Sequence, residues 1–127
     1  NTTMKKLLLI LLCLPMIGSG QCTSGNCQDG YGNFTFTTGA KYVGEFNNGI
    51  PNGLGTYTVN DNRYTGEFKD GTIRKGTLNF SSGDKYIGEF KKNKLHGEGT
   101  FYYSDGKKYV GEFLNGKRHG KKSKSKR

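Results

Sequence analysis

The stretch YVGEFNNGIPNGLGTY, residues 42–57, sets five glycines or prolines among three aromatic residues in sixteen positions. Glycine and proline at that density disfavour a helix, and a strand could carry them only if broken by turns. The motif at its head returns down the chain: YVGEF at 42–46, YTGEF at 64–68, YIGEF at 86–90 and YVGEF at 109–113. The starts lie 22, 22 and 23 residues apart. A fixed period over most of a chain is the mark of a repeat array, in which each unit contacts its neighbours and no unit has a complete core alone.

Within a unit, the period-two alternation of a strand puts Tyr42, Gly44 and Phe46 on one face and Val43 and Glu45 on the other. The aromatic face is expected to be buried, with the glycine leaving a gap for an aromatic ring of a neighbouring unit. After a turn such as NNGIPNG the chain returns through LGTYTV, so each unit is a hairpin. The links TTGA, NDN, SSGD and SDGK are short and rich in residues that tolerate positive φ, as antiparallel connections require. These signals predict an all-β, antiparallel up-and-down meander forming a single elongated twisted sheet. Eight strands are expected, near 31–36, 41–47, 54–60, 63–69, 76–81, 85–91, 98–103 and 108–114. The last unit is expected to lack a return strand, leaving an edge that its lysines blunt or that pairs with another chain as a homodimer.

Composition fits one short array. The chain has 127 residues, 31% hydrophobic and 24% charged, with 21 glycines, 16 aromatics and no Trp. That is too little aliphatic material for a thick sandwich and too short a chain for a deep enzyme cleft.

Residues 4–20, MKKLLLILLCLPMIGSG, have two lysines, an apolar run and then small residues, the plan of a secretory signal. Cleavage is expected before Gln21, with residues 1–3 read as lying upstream of the start. Export would leave Cys22 and Cys27, which in an oxidising compartment are expected to close a small disulfide loop. The alternatives are lipidation of Cys22, which wants a small residue where Gln21 stands, and a zinc site, which has no nearby His. Residues 21–41 form a half repeat that caps the array, residues 42–120 the array itself and residues 121–127 a basic tail.

At these residues the chain resembles the MORN family, the membrane occupation and recognition nexus repeats. YIGEFKKNKLHGEGTFYYSDG, residues 86–106, matches that family's pattern almost throughout, and the resemblance covers residues 30–120. The residues that define the repeat are Tyr42, Gly44, Glu45 and Phe46; Tyr64, Gly66, Glu67 and Phe68; Tyr86, Gly88, Glu89 and Phe90; and Tyr109, Gly111, Glu112 and Phe113. The second unit lacks the H-G-x-G pair, so its hairpin is expected to be irregular. The third has Asn93 where the others have Gly49, Gly71 and Gly116, a residue that tolerates a left-handed backbone. The first has Asn52 where His is typical. The resemblance implies scaffolding, dimerisation and organisation at membranes.

His96 and His119 occupy one slot of the repeat and the four motif glutamates another, so their recurrence follows from turns and strand packing, and neither catalysis nor a metal site is expected. The glutamates are expected to pair with lysines or backbone groups across neighbouring strands. No phosphate loop or nucleophile elbow occurs, so no enzyme activity and no cofactor are expected. The NFT and NFS patterns at Asn33 and Asn79 match the glycosylation acceptor but fall in expected strands. The formal charge is +10. Lys121, Lys122, Lys124, Lys126 and Arg127 of the tail account for five of those charges, and would draw the chain to acidic lipid with about 1 kcal/mol each; without a recognisable binding module, nucleic acid is not an expected partner. The sequence therefore points to a non-enzymatic exported interaction scaffold of the cell envelope, periplasmic or secreted, with peripheral binding to acidic lipids as the alternative.

Overall fold

The structure is a computed structural model that describes residues 19–119. It is one ten-stranded antiparallel sheet whose strands follow one another in sequence order: β1 Gly20–Gly25, β2 Gly30–Phe36, β3 Lys41–Asn47, β4 Ile50–Val59, β5 Asn62–Lys69, β6 Thr72–Asn79, β7 Lys85–Lys91, β8 Lys94–Tyr102, β9 Lys108–Leu114 and β10 Lys117–Arg118. No helix occurs among the described residues.

All eight expected strands are present, and two more flank them. β1 pairs with β2, setting Cys22 against Phe34, and Cys22 and Cys27 are bridged. Every β1 residue is exposed, so this strand has no buried alternation for a sequence pattern to reveal. The last unit, expected to lack a return strand, has a short one: Lys117 and Arg118, both exposed, pair back onto Leu114 and Phe113.

Turn chemistry fixes the register. Five connections have two central residues at positive φ, Asn48–Gly49, Asn60–Asp61, Asp70–Gly71, Lys92–Asn93 and Asn115–Gly116, the turn whose twist matches that of paired strands. The three longer links share one pattern, in which Phe36, Phe80 and Tyr103 donate to the carbonyls of Ala40, Asp84 and Lys107. The result is a row of glycines across the sheet, Gly25, Gly32, Gly44, Gly55, Gly66, Gly76, Gly88, Gly99 and Gly111, each opposite the next. An aromatic row lies beside it, running Phe34, Tyr42, Tyr57, Tyr64, Leu78, Tyr86, Phe101 and Tyr109.

A single sheet buries a core here because it bends. In the first and third units the register skips between Gly44 and Phe46 and between Gly88 and Phe90, and bulges of this kind bend a strand. The hairpin tips thereby carry Phe46 and Phe90 onto the aromatic row. Tyr42 packs edge-on between Phe46 and Phe68, both at 5.1 Å, and Tyr86 between Phe90 at 5.2 Å and Phe113 at 4.9 Å. Each tyrosine is thus held by its own unit's Phe and the next unit's, which makes the core continuous. At the last unit, the Arg118 guanidinium lies 4.8 Å over the Tyr109 ring.

Two sequence expectations change in detail. The gap at the motif glycine is filled by the same unit's tyrosine: the Tyr42 ring lies over Gly44 and Gly55, and the Tyr86 ring over Gly88 and Gly99. The Tyr42 hydroxyl donates to Glu45 O at 3.0 Å and the Tyr86 hydroxyl to Glu89 O at 2.7 Å, which lays each ring along its own strand. The second unit differs in the opposite sense to that expected. Its hairpin, one residue shorter between turn and motif glycine, has a single extra residue, Arg74, between Lys75 and Ile73, and so is the more regular one.

Neighbouring hairpin tips are stapled together. Gly49 N–H donates to Gln28 O at 2.9 Å, Gly71 N–H to Pro51 O at 3.0 Å and Gly116 N–H to Leu95 O at 3.0 Å. Asn93 is left-handed, with φ of 64°, and reverses the bond: its Oδ1 accepts from Ile73 N–H at 3.4 Å.

Candidate functional site

Because side chains alternate, the face opposite the aromatic row is assembled from three further rows. Ladder pairing carries one from Lys41 through Thr58, Arg63, Asn79, Lys85 and Tyr102 to Lys108, so a cation stands at every second strand. The middle row is β-branched, running Val43, Thr56, Thr65, Thr77, Ile87, Thr100 and Val110. These residue types favour a pleated, half-covered surface. Towards the tips lies the third row, with Tyr31 opposite Glu45, Leu54 opposite Glu67, Lys75 between Glu67 and Glu89, and Glu98 opposite Glu112. This outer face holds every exposed large hydrophobic of the described residues, Tyr31, Leu54, Ile87, Tyr102, Val110 and Leu114.

One repeated unit therefore generates each row, and the MORN repeat family model matches the chain unit by unit, over residues 42–62, 64–85, 86–108 and 109–121. The chain belongs to the MORN repeat family. MORN repeats are non-catalytic binding modules that generally engage proteins or membranes. A search of curated proteins finds no match.

In this MORN array the motif residues divide between the two faces. Tyr42, Gly44, Phe46, Tyr86, Phe90, Gly111, Phe113 and Phe68 are buried on the aromatic side, with Tyr64, Gly66, Gly88 and Tyr109 partly so, while Glu45, Glu67, Glu89 and Glu112 are exposed on the other. Glu45 makes one of the expected backbone contacts: its Oε2 accepts from Leu54 N–H at 3.3 Å. Its carboxylate lies over Gly53, and that of Glu89 lies over Gly97, where a side chain would collide with it. Room for the glutamate is a reason for the first glycine of the G-x-G pair that composition alone does not suggest.

Burial pushes the Tyr42 hydroxyl well above its ordinary value, with the Glu45 carboxylate adding to the effect. Burial likewise pushes Tyr86 up to about 12, and Tyr57 and Tyr64 upward. The Tyr42 and Tyr86 phenols stay protonated and serve as hydrogen-bond donors.

His96 sits half-buried in β8, where its carbonyl accepts from the Tyr86 hydroxyl at 3.4 Å, and His119 donates its backbone N–H to Glu112 O at 2.8 Å. Among the described residues no three His, Cys, Asp or Glu side chains gather as a metal would need. Asn33 lies within β2 and Asn79 ends β6. The tail residues Lys121, Lys122, Lys124, Lys126 and Arg127, and residues 4–18 of the expected signal, lie outside the described residues.

Several hollows accompany the rows, among them one of about 290 Å³ on the outer face between Tyr31, Val43, Leu54 and Thr65. One of about 590 Å³ opens at the tip side, between Glu45, Leu54, Glu67 and Arg74, and one of about 290 Å³ lies on the aromatic side between Phe36, Tyr57, Pro51 and Phe68. The outer apolar residues went unrecognised in the sequence because Leu54 and Tyr102 hold no motif position. Only the ladder shows them sharing a face with Ile87 and Val110.

Proposed function

We propose that this chain is a non-enzymatic, exported interaction protein of the cell envelope that binds another protein through its outer face. The observation that carries this is the grouping of the exposed apolar side chains on one face, with Ile87 and Val110 in its middle row and Tyr31, Leu54 and Tyr102 among the charged residues of the flanking rows. Exposed apolar surface of this kind marks interaction sites, and the repeat makes the surface long. Export is supported by the signal-like residues 4–20 and by the Cys22–Cys27 bridge, since disulfides persist in oxidising compartments. Cleavage before Gln21 would keep five of the six β1 residues.

A second reading, peripheral binding to acidic lipid, is favoured by the tail's five cations. The array itself is a poor anion receptor, because its carboxylate row would face the same surface. Co-sedimentation separates the two: the full chain and a chain ending at residue 120 are spun with neutral and acidic vesicles at low and physiological salt. No binding at physiological salt is the expected outcome. Binding that needs acidic lipid, survives physiological salt and falls away without the tail would replace the protein-binding reading with the lipid one.

A further inference from the structure

We infer that the hollow on the aromatic side binds a neutral saccharide, one sugar ring stacking on its tyrosine and phenylalanine walls while the sugar hydroxyls bond to its rim. This goes beyond the protein-binding reading and uses the opposite face of the sheet.

The hollow lies where three units meet. Of the residues that line it, Tyr42 and Phe68 are buried, Phe36 and Tyr57 half-buried, and Thr38 and Asn93 exposed, so aromatic rings form its depth and polar groups its rim. Its volume of about 290 Å³ stands near the lower end of small-molecule sites. That suits a ring-sized ligand and is too small for an α-helix about 10 Å across.

The site is not repeated along the array. In the third unit the place of Tyr57 is taken by Phe101, whose ring lies 6.5 Å from that of Phe113. Tyr57 and Phe68, the matching pair, flank the hollow instead. Asn93 stands where the other units have a turn glycine. Two departures from the repeat, one adding a hydroxyl and the other an amide, thus meet at one hollow.

Both groups are available to a ligand. The hydroxyls of Tyr42, Tyr86 and Tyr109 donate to backbone carbonyls, whereas that of Tyr57 has no hydrogen-bond partner among the described residues and is not enclosed. Asn93 Oδ1 accepts from Ile73 N–H at 3.4 Å, which leaves the amide nitrogen as the donor on offer. Thr38 Oγ1 accepts from Ala40 N–H at 3.4 Å and keeps its own O–H to donate.

No charged side chain lines the hollow, so nothing there selects an ionic group. What the lining fits is a neutral ligand with an apolar face and several hydroxyls around its edge. A pyranose ring has that form: its C–H bonds lay a weakly positive face on the negative face of an aromatic ring, and its hydroxyls both accept and donate. A wholly apolar ligand would strip water from the Tyr57 and Asn93 donors and return no hydrogen bond.

Saturation-transfer difference NMR of the full-length chain with chitotetraose and with maltotetraose, two neutral tetrasaccharides, tests this. The expected result is binding of at least one, with transfer strongest to the C–H protons of one ring face. Tyr57→Phe, which copies the third unit, and Asn93→Gly, which copies the others, should each weaken that binding by on the order of fivefold. Val110→Lys, on the outer face, should leave it unchanged. Titration followed by tyrosine fluorescence, unobscured in a chain without Trp, reads all three, and circular dichroism confirms that each is folded. Absence of binding to both saccharides overturns the inference. Binding that Tyr57→Phe and Asn93→Gly leave unaltered, or that Val110→Lys removes, overturns it in favour of another surface. A proline decapeptide that binds where the saccharides do not, and is lost in Tyr57→Phe, overturns it in favour of a peptide groove.

Discussion

Gly88 illustrates what a missing side chain does in this sheet. A Cβ there would stand 2.6 Å from Glu98 O and 2.6 Å from the Tyr86 hydroxyl, so the strands would have to part or the buried ring to move. Gly88→Ala is expected to cost about 2 kcal/mol, whereas Lys94→Ala, at an exposed position, should change stability by less than about 0.5 kcal/mol; urea unfolding of the two distinguishes them. The buried tyrosines give a pH dependence. Their hydroxyls are raised above the value of an unfolded chain, so their contribution is intact below pH 10 and is lost as the pH rises from about 10 towards 12 and beyond. Phenolate absorbance of Tyr42 and Tyr86 should therefore appear together with unfolding, not before it. The sequence made the buried face legible here, through the spacing of Tyr42, Gly44 and Phe46. It did not show whose ring fills the glycine gap, because that depends on a hydroxyl reaching the backbone three residues on.

Among elements, the strands and turns were the most readable part, and the reasons are local. Asn-Gly, Asp-Gly and their relatives demand positive φ, and the observed turns have it at both central positions. β1 escaped because it buries nothing, and the starts of β4, β6 and β8 lie four residues earlier than expected because each strand continues through its bulge to the turn. Asn93 tests the tip staples. Asn93→Val forces a β-branched residue into a left-handed turn and removes the acceptor for Ile73 N–H, so a loss of about 2 kcal/mol is expected. Asn93→Gly, which keeps the left-handed turn but also removes that acceptor, should cost only about 1 kcal/mol. Thermal denaturation followed by circular dichroism reads both.

For the whole molecule, the repeat register was visible as a period of 22 or 23, but the charge rows of the outer face were not. Their neighbours across strands are set by how many residues each hairpin spends on its bulge and each link on its turn, and the second unit trades one residue between the two. The modular core predicts that deleting residues 64–85, one complete unit, leaves a folded chain in which β4 pairs with β7 and the glycine row closes up. A cooperative transition at a lower melting temperature is the expected result; loss of the β signal at 25 °C would contradict it. Strand order has a mechanical consequence as well. Because β1 and β10 lie at opposite ends of a sheet without crossovers, a pull applied to those two ends strips the hydrogen bonds of one strand at a time instead of loading a whole strand in shear. The protein should yield at low force in successive steps of one hairpin each, paying out length like an unfolding ruler, a property suited to a compliant link and unsuited to a rigid strut.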